Sequence, residues 1–187
     1  SSSNTIESHS WFNIKEIKNE NINEPNLSTT NFKVDYLKTI KIPIYPNNKQ
    51  KELIQKWYHD ITDTYNLANT DIKNTYNTDK KIPTFISLRN KLKNQLTTIS
   101  NKNKLNKHTV DYAVKHCIEM YKSCITRFSK TNKDFEIKDL TMDRNRYNMV
   151  IEPNAFSTKI NGFFVSVLGH MQTEKSISNK FTKNCIL

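Results

Sequence analysis

The sequence is poorest in glycine, with two in 187 residues, and it has three cysteines. A P-loop, a dinucleotide-binding turn and a nucleophile elbow each need several glycines, where only a missing Cβ allows a sharp turn or a close approach to phosphate. An odd, small number of cysteines argues against a disulfide framework and is typical of a reducing compartment. No apolar run approaches the roughly 20 residues that span a bilayer, and no signal-peptide core follows the N-terminus. We therefore expect an intracellular protein that does not bind phosphate through a glycine-rich loop.

The charge is strongly positive, with 29 Lys and Arg against 18 Asp and Glu, a net charge of +11. Residues 1–31 are acidic by two charges, so residues 32–187 hold an excess of +13. Basic side chains alternate with aromatic ones such as Tyr45, Tyr76 and Phe85, a combination that can follow phosphates and stack on bases. Nucleic-acid binding is one interpretation. The alternative is a solubilising surface in a lysine-rich composition, because net charge alone defines no site.

The order of patterns along the chain predicts an α+β fold. Residues 1–31 are polar and are expected to form a flexible leader, with Trp11 and Phe12 as possible docking residues. Period-two alternation over residues 32–45 predicts a strand that Pro46 ends. After Asn47 and Asn48, apolar residues recur every three or four positions as far as Ile72, which predicts a long amphipathic helix followed by a polar connection over residues 74–81.

Two further helices are predicted, one opening at Pro83 and Thr84 and continuing to Leu96, the other beginning near Lys107 and His108. An Asn- and Lys-rich loop over residues 100–106 is expected between them. Short strands are then predicted at residues 135–137, 147–151, 163–168 and 181–187, with turns at Asn161-Gly162 and Leu168-Gly169. The helices over residues 47–132 therefore interrupt a strand-forming part made of residues 32–46 and 133–187.

No group of residues predicts catalysis or a metal site. Cys117 and Cys124 lie seven residues apart on one helix, but structural zinc prefers close Cys pairs, so we expect buried thiols. The two acidic pairs, Asp60 with Asp63 and Asp139 with Asp143, are expected to be surface groups, because lone carboxylate pairs carry little signal.

Three motifs resemble the OrfB or TnpB family and its eukaryotic and viral relatives, the Fanzor proteins. The first, KTIKIPIYPNNKQKELIQKWYHDITDTYNLA, is similar to the family's opening strand, its Tyr-Pro step and its Gln-x-x-x-Leu helix. The second, HTVDYAVKHCIEMYKSC, is similar to the family's third inserted helix, although Met120 replaces the usual Ala. The third, NGFFVSVLGHMQTEKSI, resembles the strand that enters a Leu-Gly step, and the closing KNCIL resembles the next strand. The Asn-rich leader and the composition favour a Fanzor-like, viral or protist origin.

This resemblance implies the N-terminal part of a transposon-encoded, RNA-guided DNA endonuclease related to type V CRISPR nucleases. A small wedge-type β-barrel would be interrupted by a three-helix recognition insertion. The partners would be guide RNA, target DNA and the rest of the same polypeptide, in the nucleus of a eukaryotic or virus-infected host cell. The family's RuvC domain, whose three acidic residues bind Mg²⁺, and its zinc ribbon are absent from this sequence. We therefore expect a piece of a longer protein that contains no catalytic residue and no cofactor, and that binds without cutting.

The resemblance also implies which residues contact nucleic acid. The residues expected to read a target-adjacent DNA motif are Thr84, Phe85, Leu88, Lys107, His108 and Asp111. The residues expected to contact the nucleic-acid backbone are Lys41, Lys49, Arg89, Lys93, Lys104, Lys115, Arg144, Arg146 and Lys159. For Phe85 and Leu88 the periodicity is equally typical of core residues.

Two other functions remain open from the sequence. One is a stand-alone helix-turn-helix protein whose third helix enters the major groove of DNA. The other is a viral structural or interaction protein whose charge only reflects composition.

Overall fold

The longest element is α1, Asn48–Asp79, in a computed structural model that describes residues 41–129, 135–142, 148–174 and 185–187. All these residues belong to one compact unit, Ile40–Leu187. The predicted leader, residues 1–31, and most of the predicted first strand lie outside the described residues.

Helix α1 begins at a capping box. The Asn47 side chain accepts a hydrogen bond from the Gln50 backbone N–H at 3.0 Å, and the Gln50 side chain accepts one from the Asn47 N–H at 2.9 Å, which satisfies two helix-start donors reciprocally. The predicted polar connection over residues 74–81 is wrong, because the helix continues to Asp79 and ends at Lys80 in the left-handed conformation. The additional turns carry Tyr76, whose ring contacts Tyr121 and Phe135, so the apolar stripe extends further than the aliphatic pattern indicates.

The second predicted helix is divided in two. Helix α2, Phe85–Lys91, and helix α3, Lys93–Lys102, meet at Leu92. The hydrogen bonds from Leu92 N to Leu88 O and from Leu96 N to Leu92 O, both 3.0 Å, preserve the spacing of four residues across the break. The predicted three-helix insertion is therefore made of four helical segments, and the connection to the last of them is shorter than the predicted loop of residues 100–106.

Helix α4, Lys107–Phe128, begins where the sequence predicts. The Asn106 side chain accepts a hydrogen bond from the His108 N–H at 2.8 Å and caps it. Its apolar stripe packs against that of α1, so that Trp57, Ile72, Val114 and Cys117 are completely buried. This contact between α1 and α4 forms the centre of the hydrophobic core.

The described strands form three separate antiparallel pairs, each of two residues per strand. They are β1 (Ile44–Tyr45) with β5 (Gln172–Thr173), β2 (Val150–Ile151) with β6 (Cys185–Ile186), and β3 (Phe156–Ser157) with β4 (Gly162–Phe163). Within the described ranges these pairs do not close into a barrel, so the predicted wedge barrel is not confirmed while the mixed α+β class is.

Two of the predicted strands differ from the structure. Residues 135–137 are not a strand, and the predicted strand over residues 163–168 ends after Phe163, where α5, Val165–Leu168, begins. The reason is a left-handed residue, Phe164 at φ 46°, which turns the chain out of the extended conformation.

The strand pairs are joined to the helices by side chains of α1 and α4. The Gln50 side-chain amide donates to the carbonyl oxygens of Leu168 and His170, both at 2.8 Å. The rings of Trp57 and Phe164 meet edge to face at 5.5 Å. From α4, the Thr109 hydroxyl donates to the Val150 carbonyl at 3.3 Å, so the starts of both long helices are tied to the strand part.

Candidate nucleic-acid interface

The positive charge is concentrated on three of the helices. From α2 to the end of α4, residues 85–128 contain nine Lys and Arg but only two Asp and Glu. Helix α1 contains four basic and five acidic residues. About two thirds of the net charge of +11 therefore lies within less than a quarter of the chain.

Two rows of side chains, one on α2 and α3 and one on α4, face each other with opposite chain direction. We call these six residues the basic ladder, and they are Phe85, Arg89, Lys93, Lys107, Asp111 and Lys115. Residues spaced by four lie on one side of a helix, so each row is a continuous edge. The Lys115 ammonium lies 4.8 Å from the centre of the Phe85 ring, Arg89 contacts Asp111, and Lys93 shares a depression with Lys107.

The middle step of the basic ladder is an ion pair. Arg89 Nε donates to both carboxylate oxygens of Asp111, at 2.9 and 3.0 Å. The Asp111 side chain is 17 % exposed and the Arg89 side chain 47 %. Charge-assisted hydrogen bonds of this kind fix the planar guanidinium in one orientation. Asp111 thus orients Arg89.

At the end of the basic ladder where Lys93 faces Lys107, the surface forms a depression of about 110 Å³. Its lining residues are Arg89, Lys93, Leu96, Thr97, Lys107, Val110 and Asp111. Its charged groups sum to +2, and two of its lining side chains, Leu96 and Val110, belong to the buried core. Neither Lys93 nor Lys107 forms a salt bridge with any residue of the described ranges.

The other end of the basic ladder is a lysine between two aromatic rings. Lys115 lies 4.8 Å from the Phe85 ring centre and 4.9 Å from that of Tyr112. Both distances allow cation–π attraction, which holds the ammonium close to the helix surface.

The first turn of α4 contains Lys107 and His108 and no acidic residue. Positive side chains at a helix N-terminus oppose the macrodipole, so this turn favours a nearby anion. The two side chains have different surroundings. Lys107 lines the depression, whereas His108 Nδ1 lies 3.3 Å from Glu152 Oε1, beside β2. The Thr109 hydroxyl donates to the Val150 carbonyl at 3.3 Å, which holds the same turn against the strand part.

The structure brings six of the predicted contact residues together as the basic ladder and separates the others. Leu88 is 1 % exposed and packs in the core, so its prediction as a DNA-reading residue is corrected to the core alternative. The Thr84 hydroxyl caps α2 by accepting from the Ser87 N–H at 3.2 Å. The remaining predicted lysines are exposed but do not line the depression, and they are Lys41, Lys49, Lys104 and Lys159. Arg144 and Arg146 lie outside the described residues.

Sequence reasoning missed two features. One is Thr97, which lines the depression and could have been found from its spacing of four after Lys93. The other is a cavity of about 670 Å³ near the ends of α1 and α4, lined by Tyr76, Tyr121 and Phe135 among others. Burial raises the pKa of Tyr121 to about 12, and its hydroxyl donates to Asn69 Oδ1 at 2.9 Å. The only signal for this cavity in the sequence is the aromatic character of these three residues.

Among the described residues, no three His, Cys, Asp or Glu side chains are grouped so that they could bind a metal ion. In the same part of the chain, no helix combines the length and apolar character that crossing a membrane requires.

The fold and the basic ladder together define an α+β protein whose helical part carries a concentrated positive charge. No protein-family model matches the chain. It is similar to two TnpB-like proteins of Acanthamoeba polyphaga mimivirus, at 26 % identity over 92 % of this chain, and to a third from the same virus at 24 %. These similarities confirm the resemblance to viral TnpB-like proteins that the motifs indicate. The chain spans about two fifths of the length of these relatives, 39 to 40 %.

Proposed function

We propose that this chain binds nucleic acid as part of a TnpB-like, transposon-associated nuclease, with guide RNA and target DNA as its partners. The observation that carries the proposal is the concentration of nine basic against two acidic residues on α2 to α4, arranged as the basic ladder. A purely compositional charge would spread over all helices, and α1, with more acidic than basic residues, excludes such an even distribution.

Cleavage would belong to another part of the parent protein. The Mg²⁺ that the family resemblance implies would bind the acidic residues of a RuvC-like domain, and the described residues contain no group of side chains that fits it. We therefore derive no catalytic step for this chain. A DNA-directed role implies the nucleus of a eukaryotic or virus-infected host cell as the place of action.

The test is the salt dependence of binding by the full 187-residue chain. Fluorescence anisotropy would be measured with a labelled hairpin RNA and a labelled 20-base-pair duplex DNA, each from about 50 to 300 mM salt. Because each neutralised phosphate releases counterions, the logarithm of the binding constant falls by about 0.9 per contact, per decade of salt, for duplex DNA and by about 0.7 for single strands. We expect a salt slope that corresponds to several phosphate contacts. Failure to bind either probe at low salt, or a flat salt response, would contradict the proposal.

A randomised duplex library without RNA tests the helix-turn-helix alternative. Selection of a defined operator sequence, bound tightly in the absence of RNA, would favour that alternative over the guided one.

A further inference from the structure

We propose that Arg89, Lys93 and Lys107 hold a phosphodiester group of the nucleic-acid backbone and that Asp111 is the positioning residue for Arg89. This inference rests on the proposed function and deepens it. It assigns the basic ladder to holding the backbone and not to reading bases.

The electrostatics of the depression favour a phosphate. Two lysines and an arginine face a space of about 110 Å³ together with only one carboxylate. Like charges this close repel each other, and an anion between them removes the repulsion. The buried side chains of Leu96 and Val110 beside the charges exclude water from one side, so the attraction is screened less than on an open surface. The space would hold only a few water molecules at about 30 Å³ each, which suits one tetrahedral anion.

The geometry of Arg89 supports the same ligand. Its Nε is already occupied by Asp111, whereas its terminal nitrogens make no hydrogen bond to another described residue. A guanidinium that is held at Nε can present its remaining donors to phosphate oxygens with a smaller loss of side-chain entropy. Asp111, which lines the same space, therefore acts through Arg89.

The same contacts disfavour base reading by Asp111. A carboxylate that reads a base accepts a hydrogen bond from cytosine, and here the cytosine amino group would have to share the Asp111 oxygens with the Arg89 guanidinium, which already donates to both. Contacts to phosphate position a protein and carry no sequence information. Both RNA and DNA offer this phosphodiester chemistry, so the experiment includes both.

The experiment compares charge-neutralising variants of the full chain. The test variant is Lys93→Gln with Lys107→Gln. The matched control is Lys51→Gln with Lys138→Gln, two exposed lysines outside α2 to α4 that form no salt bridge with a described residue. Both double variants change the net charge by the same amount. Circular dichroism and the thermal midpoint check that each variant folds as the wild type does.

We expect the test variant to lose about one to two units of salt slope on duplex DNA, and about tenfold in affinity per lost contact at 0.1 M salt. The control should lose much less. The probe that shows the loss, duplex DNA or hairpin RNA, identifies the source of the phosphate. An equal loss in test and control variants would overturn the inference. A wild-type chain that binds neither probe contradicts the proposed function itself, which distinguishes the two failures.

Asp111→Asn tests the positioning role separately. This substitution makes the chain more positive by one charge, so general electrostatics alone predicts tighter binding. We expect instead that the salt slope falls by about 0.9 on duplex DNA, because Arg89 is no longer oriented. The preference among sequences in a randomised duplex library should not change. Tighter binding with an unchanged slope, or a changed preference at one base position, would overturn the assignment.

Discussion

The short connection before α4 contains a partly buried hydrogen bond that can be tested by mutation. The side-chain amide of Asn103 donates to Asp60 Oδ2 at 2.8 Å, and the Trp57 indole N–H donates to the Asn103 carbonyl at 2.8 Å. Asp60 is 1 % exposed and Trp57 is completely buried. These bonds attach the connection to α1, three residues before the Asn106 cap of α4.

We predict that Asn103→Ala lowers the free energy of unfolding by about 2 kcal/mol at pH 7. Hydrogen bonds to charged groups are worth about 1.5 to 3 kcal/mol, and the substitution leaves the Asp60 carboxylate buried with one donor fewer. The bond from Trp57 remains, because it uses the backbone carbonyl. For a chain of this size the thermal midpoint should fall by about 4 to 8 °C.

The predicted loss depends on pH, and its sign follows from Asp60. Burial raises the pKa of Asp60 above its ordinary value, while the hydrogen bond from Asn103 opposes that rise. The folded state therefore binds this proton more tightly than the unfolded state, so the destabilisation from the buried charge is relieved as pH falls through the raised pKa. Once Asp60 is protonated, the bond to Asn103 is a neutral one, worth about 0.5 to 1.5 kcal/mol. The loss of unfolding free energy caused by Asn103→Ala should therefore be smaller at acid pH.

Urea unfolding at pH 7 and at pH 4 would measure both effects. The control is Asn101→Ala, an exposed position at the end of α3, which should change stability by less than about 0.5 kcal/mol. A double-mutant cycle with Asp60→Asn isolates the charged part of the bond. If Asn103→Ala cost the same at both pH values and in the Asp60→Asn background, the reasoning from a buried carboxylate would be refuted.

Three further predictions concern the core. Gly162→Ala should lower the unfolding free energy by about 1 to 3 kcal/mol, because a Cβ there would lie 3.0 Å from the backbone oxygen of Gly169; an unchanged urea midpoint would count against this close approach. Tyr121→Phe should cost about 1 to 2 kcal/mol in the same assay, since it removes the buried hydroxyl that donates to Asn69, and a neutral result would contradict that role. Cys117 is completely buried and burial raises its pKa to about 12, so a thiol reagent at pH 8 should modify it only as fast as the protein unfolds; with Cys124 and Cys185 both replaced by Ser, rapid labelling of the folded chain would disprove its burial.

The helices could be predicted from the sequence because their apolar spacing is a local signal. The stripes through Trp57, Ile72 and Val114 are buried as the period of 3.6 requires. The break at Leu92 could not be predicted, since neither proline nor glycine marks it. The continuation of α1 depends on Tyr76 contacting rings on other segments, which is tertiary packing and not propensity.

The strand part was predicted less well because its pairing is not local. Ile44 pairs with Thr173, and Val150 pairs with Ile186, so each register depends on segments that are distant in sequence. Strands of two residues also show too little alternation to define a face. The motifs predicted extended segments near the right positions, but neither their ends nor their partners.

The candidate site, like the strand pairing, could be predicted from the sequence only in part. Spacing of four residues places Lys107 with Asp111 on one edge of α4, and it places Arg89 with Lys93 on one edge across the break between α2 and α3. Which edges meet depends on the relative shift of two helices, and sequence does not encode that shift in any local pattern. The pairing of Arg89 with Asp111 therefore emerges only in three dimensions, and the proposed positioning role of Asp111 rests on it.

The contacts that the first turn of α4 makes within the protein weigh against the helix-turn-helix alternative. A recognition helix reads bases with side chains of its N-terminal turn. Here His108 approaches Glu152 and Thr109 donates to the strand part, while Asp111, just after this turn, is paired with Arg89. Base reading by this part of α4 would have to break these contacts, whereas Lys107 can meet a phosphate without breaking a salt bridge to a described residue. If the helical part grips the backbone as proposed, the choice of sequence falls to another component, and base pairing with the proposed guide RNA would be a component of that kind.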